Sequence, residues 1–441
     1  MVSDDAYLSS YKRLIIIAGI LIAANCPAAT HYVMPTNSLA ADPYTSWETA
    51  GTNLIAVVNA AQTNTGTMVV WVTNGTYYLT NQVVISQALT LQSVNGREVT
   101  IVNGNNSPGR PVTNRCFYLN ASGAVLDGFT ITNGIALAYP GGGGLVSIAG
   151  TITRNCRVTG CIASNSSGGG IRTSGVITNC EIIGNIGVSG SGGISTGSGA
   201  TIVNCTIASN RIGPYTTEIS GVGITMGGGT KVINCNIRGN YRDASHTAGS
   251  YGGGVCMSTA GGIIRNSLVW ENFADNGGGI SMYGCSATIQ NCTVISNRAT
   301  FTGGGIHGFI PVNSTGLIEN TVSYFNTPGA GSNIYNWVNN VYSGSWQVVN
   351  SCFAPTSAVP VIGFPACVYA NNTQANPQFA GKDANNWRLT RDSPGVNAGT
   401  NQTWMDGAFD LDGRPRRDRF SGIVDMGCYE YLPQGAIFSG R

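Results

Sequence analysis

Two neighbouring stretches, residues 211–220 and 241–251, gather most of the side chains able to do chemistry. They hold Arg211, Tyr215, Glu218, Tyr241, Arg242, Asp243, His246 and Tyr251. The stretches that follow add Glu271 and Asp275, then Arg298 and His307. Two glycan reactions can be asked of such a set. A hydrolase needs two carboxylates facing one glycosidic bond. A β-eliminating lyase needs a base and a group that neutralises the uronate carboxylate. No cluster of aspartates recurs at a fixed spacing, which argues against a typical hydrolase and a calcium-dependent lyase alike; the enzyme reading kept open is elimination. In that reading His246 or Tyr251 is the base and Arg242 the neutraliser. Tyr215, Glu218, Tyr241, Asp243, Glu271 and Asp275 are the expected ligand contacts. The plainer alternative is a set of solvated loop residues, and a lone loop histidine such as His246 is most often that.

These stretches meet only if a regular scaffold stacks them, and the sequence contains one. A phrase of Asn-Cys between apolar residues recurs at Asn155-Cys156, Asn179-Cys180, Asn204-Cys205, Asn234-Cys235 and Asn291-Cys292. Asn266-Ser267 and Asn320-Thr321 are variants of it. Successive asparagines lie 24, 25, 30, 32, 25 and 29 residues apart. A glycine cluster leading into an apolar residue alternates with this phrase, as at 168–171, 252–255 and 277–280. Repeats of this length are the mark of a solenoid, each coil burying its apolar face on the next. Apolar residues fall three before and two after each cysteine, as in Ile202, Cys205 and Ile207. A straight strand keeps a spacing of two, so the shift marks a corner. Asparagine takes φ > 0 more readily than other non-glycine residues. The asparagines of the Asn-Cys pairs are therefore expected at the corner, stacked as an internal ladder, with the cysteines stacked beside them in the core. Cys161, Cys256, Cys285, Cys352, Cys367 and Cys428 fall outside that ladder, and one or two disulfides among them stay open.

A second surface follows from the same spacing. Positions one and three beyond each ladder residue give Arg157, Glu181, Arg238, Trp270 and Tyr324. Exposed aromatics there can stack on sugar rings, and arginine can pair with acidic sugars.

Composition agrees with a β-solenoid. Of 441 residues, 62 are glycine and only 10% are charged, against roughly 25% in average proteins. The net charge is +2 with no basic run in the body, which argues against a nucleic-acid partner. Lys12 and Arg13 precede an apolar run over 14–24, followed by small residues near Cys26. This reads as an export signal, too short to span a bilayer. Helical spacing of Trp47, Leu54, Val57, Val58 and Ala61 predicts an amphipathic capping helix over 46–61. Strands are expected at 68–72, 77–79, 83–85 and 89–91.

The run 70–104, with Asn74-Gly75-Thr76-Tyr77 and Leu89-Thr90-Leu91-Gln92, resembles the opening coils of bacterial pectin-lyase-like right-handed β-helix proteins. Asn376-Pro377-Gln378-Phe379, Ser393-Pro394-Gly395-Val396-Asn397-Ala398-Gly399, Asp410-Leu411-Asp412-Gly413-Arg414-Pro415 and Val424-Asp425-Met426-Gly427-Cys428 resemble the choice-of-anchor Q segment of secreted β-helix proteins. The resemblance implies fold and export, and it includes both glycan-degrading enzymes and adhesins without activity. Asp410, Asp412, Asp418 and Asp425 raise the question of a calcium loop, but they lack EF-hand spacing. Pairing with Arg414, Arg416 and Arg417 is the expected role, so no cofactor is expected, with calcium left open.

The expectation is an all-β, right-handed single-stranded parallel β-helix with a short N-terminal capping helix; right-handed crossovers are the rule for parallel strands. Its parts are a signal peptide (1–29), a cap (30–64), the β-helix (65–370) and a C-terminal segment (371–441). The expected function is a secreted or cell-surface protein that binds polysaccharide or mediates adhesion. The alternative is a polysaccharide lyase, ahead of a hydrolase. The expected partner is a polysaccharide or cell-envelope polymer, and the chain is expected to be monomeric.

Overall fold

The computed structural model describes residues 29–104, 114–214, 219–245, 249–329, 334–336, 344–354, 368–417 and 421–432. Residues 1–28, within the stretch read as an export signal, and Tyr215, Glu218, His246, Cys367 and Asp418 lie outside them.

The chain is a parallel β-helix. Four sheets run along it, here called A (thirteen strands), B (eleven), C (ten) and D (nine). All their pairings in the solenoid are parallel, each strand bonding to its counterpart one coil away. Strand Ile152–Arg154 pairs with Val176–Thr178 in sheet A, and Arg157–Thr159 with Glu181–Ile183 in sheet B. The inward residues form one continuous apolar column, including Ile177, Ile182, Ile194, Ile202, Ile207 and Ile224, all fully buried. Each such side chain contributes roughly 1.5–3 kcal/mol. A sheet edge is a liability only at the two ends of such a rod.

The N-terminal end is covered by helix α1, Leu54–Ala61, shorter than its apolar spacing predicts. Asn53 caps it, its side chain accepting from the Ala56 N–H. Trp47 stands outside the helix, its ring 4.4 Å from that of Tyr32. Strand Ala29–Val33 already pairs with Met68–Val72, so sheet A begins inside the stretch read as a cap.

Both ladders exist, but the asparagines are divided differently from the sequence reading. Asn155, Asn179, Asn204, Asn234, Asn266, Asn291 and Asn320 do adopt φ between 48° and 55° at the corner between sheets A and B. Their side chains face outward, and Asn155, Asn179 and Asn204 are exposed. The internal ladder is made by the asparagine six residues later. Asn185, Asn210, Asn240, Asn272, Asn297 and Asn326 are buried and bonded amide to amide at 2.9–3.0 Å. Each amide also donates to a backbone carbonyl one coil back, as Asn240 does to Ile207 at 3.0 Å. Cys161, read as lying outside any ladder, occupies this same position, and its N–H donates to Asn185 Oδ1 at 3.0 Å.

The cysteine row is buried as expected, and it has a polar task. Cys180 Sγ accepts from the Cys156 N–H at 3.4 Å, and Cys205 Sγ from the Cys180 N–H at 3.5 Å. Ser267 and Thr321 accept the equivalent N–H groups of Cys235 and Cys292 through their hydroxyls. Small side chains with an acceptor thus satisfy a corner donor that would otherwise be orphaned in the core. The eleven described cysteines are all buried free thiols. Burial pushes the Cys156, Cys180 and Cys205 thiols well above their ordinary range.

The C-terminal segment lies on the outer face of sheets A and B. Trp387 packs with Leu268, Ile295 and Cys428, and Met426 with Val322, Tyr324 and Cys352. It also reads the outward asparagines. Asn266 donates to Phe409 O at 2.8 Å, Asn291 to Asp425 O at 3.4 Å and Asn320 to Thr400 O at 2.8 Å.

Candidate functional site

The long stretches after the ladder asparagines do stack, and they build sheet D. Register pairs run Ile135–Ile162–Ile186–Arg211–Tyr241–Phe273–Arg298. These side chains alternate with the buried Ala136, Ala163, Ile212, Ala274 and Ala299, so the row faces outward. Its first half is apolar. Its second half is Arg, Tyr, Phe, Arg. Tyr241 and Arg298 are exposed, while Arg211 and Phe273 are half-buried.

Charge at this edge is largely paired. Arg211 meets Asp243 at 3.0 Å. The Asp243 carboxyl is held below the usual range, first by the Ser245 N–H and hydroxyl and then by Arg211. Arg242 lies 2.8 Å from Asp275, with both side chains largely removed from solvent. Asp275 is further bound by the Ser250 N–H at 3.0 Å and hydroxyl at 2.9 Å. Arg242, expected to neutralise a uronate, is thus committed to a buried aspartate, which it keeps from being an unpaired buried charge. Asp275, expected as a ligand contact, holds two loops together instead. Phe273 is flanked by the guanidinium groups of Arg298 and Arg242, at 4.3 and 5.3 Å from its ring centre.

Tyr251 belongs to a neighbouring cluster. Its ring lies 4.4 Å from that of Tyr283, 5.9 Å from Phe309 and 6.1 Å from His307. This places the expected base in an aromatic patch over sheet C. His307 beneath it is 1% exposed, and burial pushes its imidazole down to about 3, so it is neutral. Ser281 Oγ stands 3.4 Å from His307 Nδ1. Glu271 is exposed at a turn with φ of 53°, where the adjacent coils use Gly239 and Ser296.

The second expected surface is largely covered. Trp270 is not a free stacking platform: it meets Trp387 edge-on at 6.4 Å and donates to Asn236 Oδ1 at 2.9 Å. Arg238 lies 5.7 Å over the Trp270 ring. Tyr324 is buried beneath the C-terminal segment. Arg157 and Glu181 form a network with Arg97 and Glu98, with contacts of 2.7–3.4 Å.

The aspartates of the C-terminal segment are paired differently from expectation. Arg388 binds Asp412 with two bonds of 2.6 Å, and Arg414, the expected partner, lies 3.9 Å from the same carboxylate. Arg416 meets Glu430 at 3.1 Å and Arg417 meets Asp406 at 2.8 Å. Asp410 and Asp425 each accept backbone N–H groups through both oxygens. Among the described residues no group of three or more His, Cys, Asp or Glu side chains is placed to hold a metal ion, and no helix is long and apolar enough to cross a membrane.

Phe273 was missed by sequence reasoning, yet a signal for it exists. Arg211, Tyr241, Phe273 and Arg298 each directly follow a ladder asparagine. Recognising the second asparagine as the ladder would have aligned all four.

The fold defined by these sheets is the pectate-lyase type of parallel β-helix. The structure of pectate lyase Pel9A matches with a TM-score of 0.50 at 16% identity, over 91% of this chain and 96% of that one. A rhamnogalacturonan lyase matches at 0.44 and 14%, over 85% and 97%. A PL6 alginate lyase matches at 0.36 and 13%, over 82% and 89%. No protein-family model and no curated protein matches the sequence.

Proposed function

We propose that this protein is a carbohydrate-active β-helix that holds an acidic polysaccharide along the outer row of sheet D and cleaves it by β-elimination. The observation that carries this reading is the row Arg211–Tyr241–Phe273–Arg298. Neighbouring coils repeat every ~4.8 Å, comparable with one sugar residue, so successive side chains meet successive sugars. Arg298 is the exposed cation of the row and Tyr241 its exposed hydroxyl. Tyr241 takes the proton beside a uronate carboxylate faced by Arg211 on the adjacent coil, while Arg298, two coils on in the row, holds the carboxylate of a further sugar. The glycosidic oxygen then leaves with its electron pair, a carbon–carbon double bond forms, and the oxygen is reprotonated. The fold shared with a pectate lyase supports the reading. Hydrolysis is less favoured because Asp243 and Asp275, the two aspartates at this edge, are both held in ion pairs.

Binding without turnover is the second reading. The commitment of Arg211 to Asp243 and of Arg242 to Asp275 favours it. Export to the cell exterior, proposed on sequence grounds alone, suits either.

The test is incubation with a panel of acidic and neutral polysaccharides, following ultraviolet absorbance of unsaturated uronates with and without calcium. Turnover that is lost in Tyr241→Phe supports elimination at this row. Retention on an acidic glycan without product, weakened in Arg298→Ala, selects the binding reading. Neither binding nor turnover removes both.

A further inference from the structure

A second site stands apart from sheet D, in the C-terminal segment. A cleft of about 630 Å³ is lined by Ala380, Asn386, Arg388, Leu389, Thr390, Arg391, Arg414, Tyr431 and Leu432. The lining carries three arginines and no carboxylate. Asp412 meets Arg388 at 2.6 Å and Arg414 at 3.9 Å from outside the lining, so among the described residues Arg391 is the arginine of the cleft with no carboxylate paired to it. The volume falls within the range of small-molecule sites, roughly 300–1,000 Å³.

Two of the arginines are held in place from behind. Asp412 grips Arg388 through two bonds of 2.6 Å, and the Tyr429 ring lies 4.7 Å from the guanidinium. Arg414 donates to Glu430 O at 2.9 Å. A guanidinium fixed by other contacts loses less freedom when it binds, and its planar fork suits carboxylate or phosphate oxygens. Arg391 is exposed at the same cleft. Tyr431, Leu389 and Leu432 supply an apolar wall, and an aromatic side chain of this kind suits the apolar face of a sugar ring.

We infer that this cleft binds a single acidic sugar unit, its carboxylate or phosphate taken by Arg391 and Arg414 and its ring resting on Tyr431 and the leucines. The site is independent of catalysis at sheet D. It gives the protein a second point of attachment to an anionic glycan or envelope polymer, beside the solenoid. Two weak attachments on one rigid body raise overall avidity with no new contact at either.

The test is calorimetric titration of the full chain with glucuronate, glucose 6-phosphate and glucose. Wild type is expected to bind at least one acid and to bind glucose at least tenfold more weakly. The two acids separate a uronate source from a phosphorylated one. Arg391→Glu is expected to weaken the acid at least tenfold with an unchanged thermal transition, because Arg391 is exposed and carries no fold contact. Arg298→Ala, which weakens the sheet D row, is expected to keep the acid binding that Arg391→Glu loses. Failure of the sheet D reading therefore leaves this result untouched. Absence of binding by both acids, equal binding of glucose, or wild-type affinity in Arg391→Glu overturns the inference.

Discussion

The Asn320 side chain pairs with the backbone of Thr400 as a second peptide group would. Its Oδ1 accepts from the Thr400 N–H at 2.8 Å, and its Nδ2 donates to the Thr400 carbonyl at 2.8 Å. The left-handed corner turns this amide outward, away from the core ladder, and 80 residues of chain close between the two partners. Asn320→Ala removes both bonds to the exposed Thr400, a net loss of roughly 0.5–1.5 kcal/mol each. The expected result is a lower thermal midpoint and faster hydrogen exchange around residue 400, with exchange in the early coils unchanged. Uniform exchange throughout would show that the contact is dispensable.

Cys205 tests the polar task of the thiol row. The reading that counts is the difference between two small substitutions. Cys205→Ser keeps an acceptor for the Cys180 N–H, as Ser267 and Thr321 do elsewhere. Cys205→Ala removes it and orphans a buried donor. Chemical denaturation should place the alanine variant about 1–2 kcal/mol below the serine variant. Equal stabilities would mean that the row serves packing alone.

His307 gives stability a pH dependence of known sign. Its imidazole is neutral in the folded chain down to about 3, because burial disfavours the cation. In the unfolded chain it takes a proton near 6.5. The unfolded state therefore binds the extra proton, and stability is full above 6.5 and falls as pH drops toward 3. The slope is about 1.4 kcal/mol per pH unit. Burial raises the Glu430 carboxyl to about 8, which acts in the opposite sense over the same interval, so the His307 contribution is read as the difference in slope between wild type and His307→Gln in urea titrations from about pH 6.5 to 5.

Arg242 and Arg298 separate scaffold from ligand contact. Arg242→Ala leaves Asp275 buried without its cation, a loss of about 3–5 kcal/mol. It should reduce stability and disturb glycan binding only as a consequence. Arg298→Ala removes an exposed side chain and should leave the thermal midpoint nearly unchanged while weakening retention on acidic glycan about tenfold. The reverse pattern would exchange their assigned roles.

Much of this architecture was legible in the sequence, and the parts that were not have physical reasons. The repeat, the corner at each Asn-Cys pair and the burial of the cysteines follow from spacing. Which asparagine faces the core does not, because both types recur with the same period and only φ at the corner separates them. Arg211, Tyr241 and Arg242 were found at the stacked edge because the length of their loops marks it. The fate of Arg242 was hidden, since its partner Asp275 lies one coil later. Trp270 looked exposed because its strand faces outward. Nothing local announces that Trp387, more than a hundred residues on, covers it.

The extra turns of chain at the edge of sheet D bond to one another as well as to the rod. Strand Ile219–Ser220 pairs with Ser250–Tyr251, which in turn meets Asn276. A loop that grows in one coil therefore gains a hydrogen-bonding partner only where the adjacent coil has grown too. Length changes along this edge are coupled in inheritance: an insertion is tolerated in company and penalised alone. The same rod that lets whole coils be added or lost independently makes its chemically richest margin evolve by pairs.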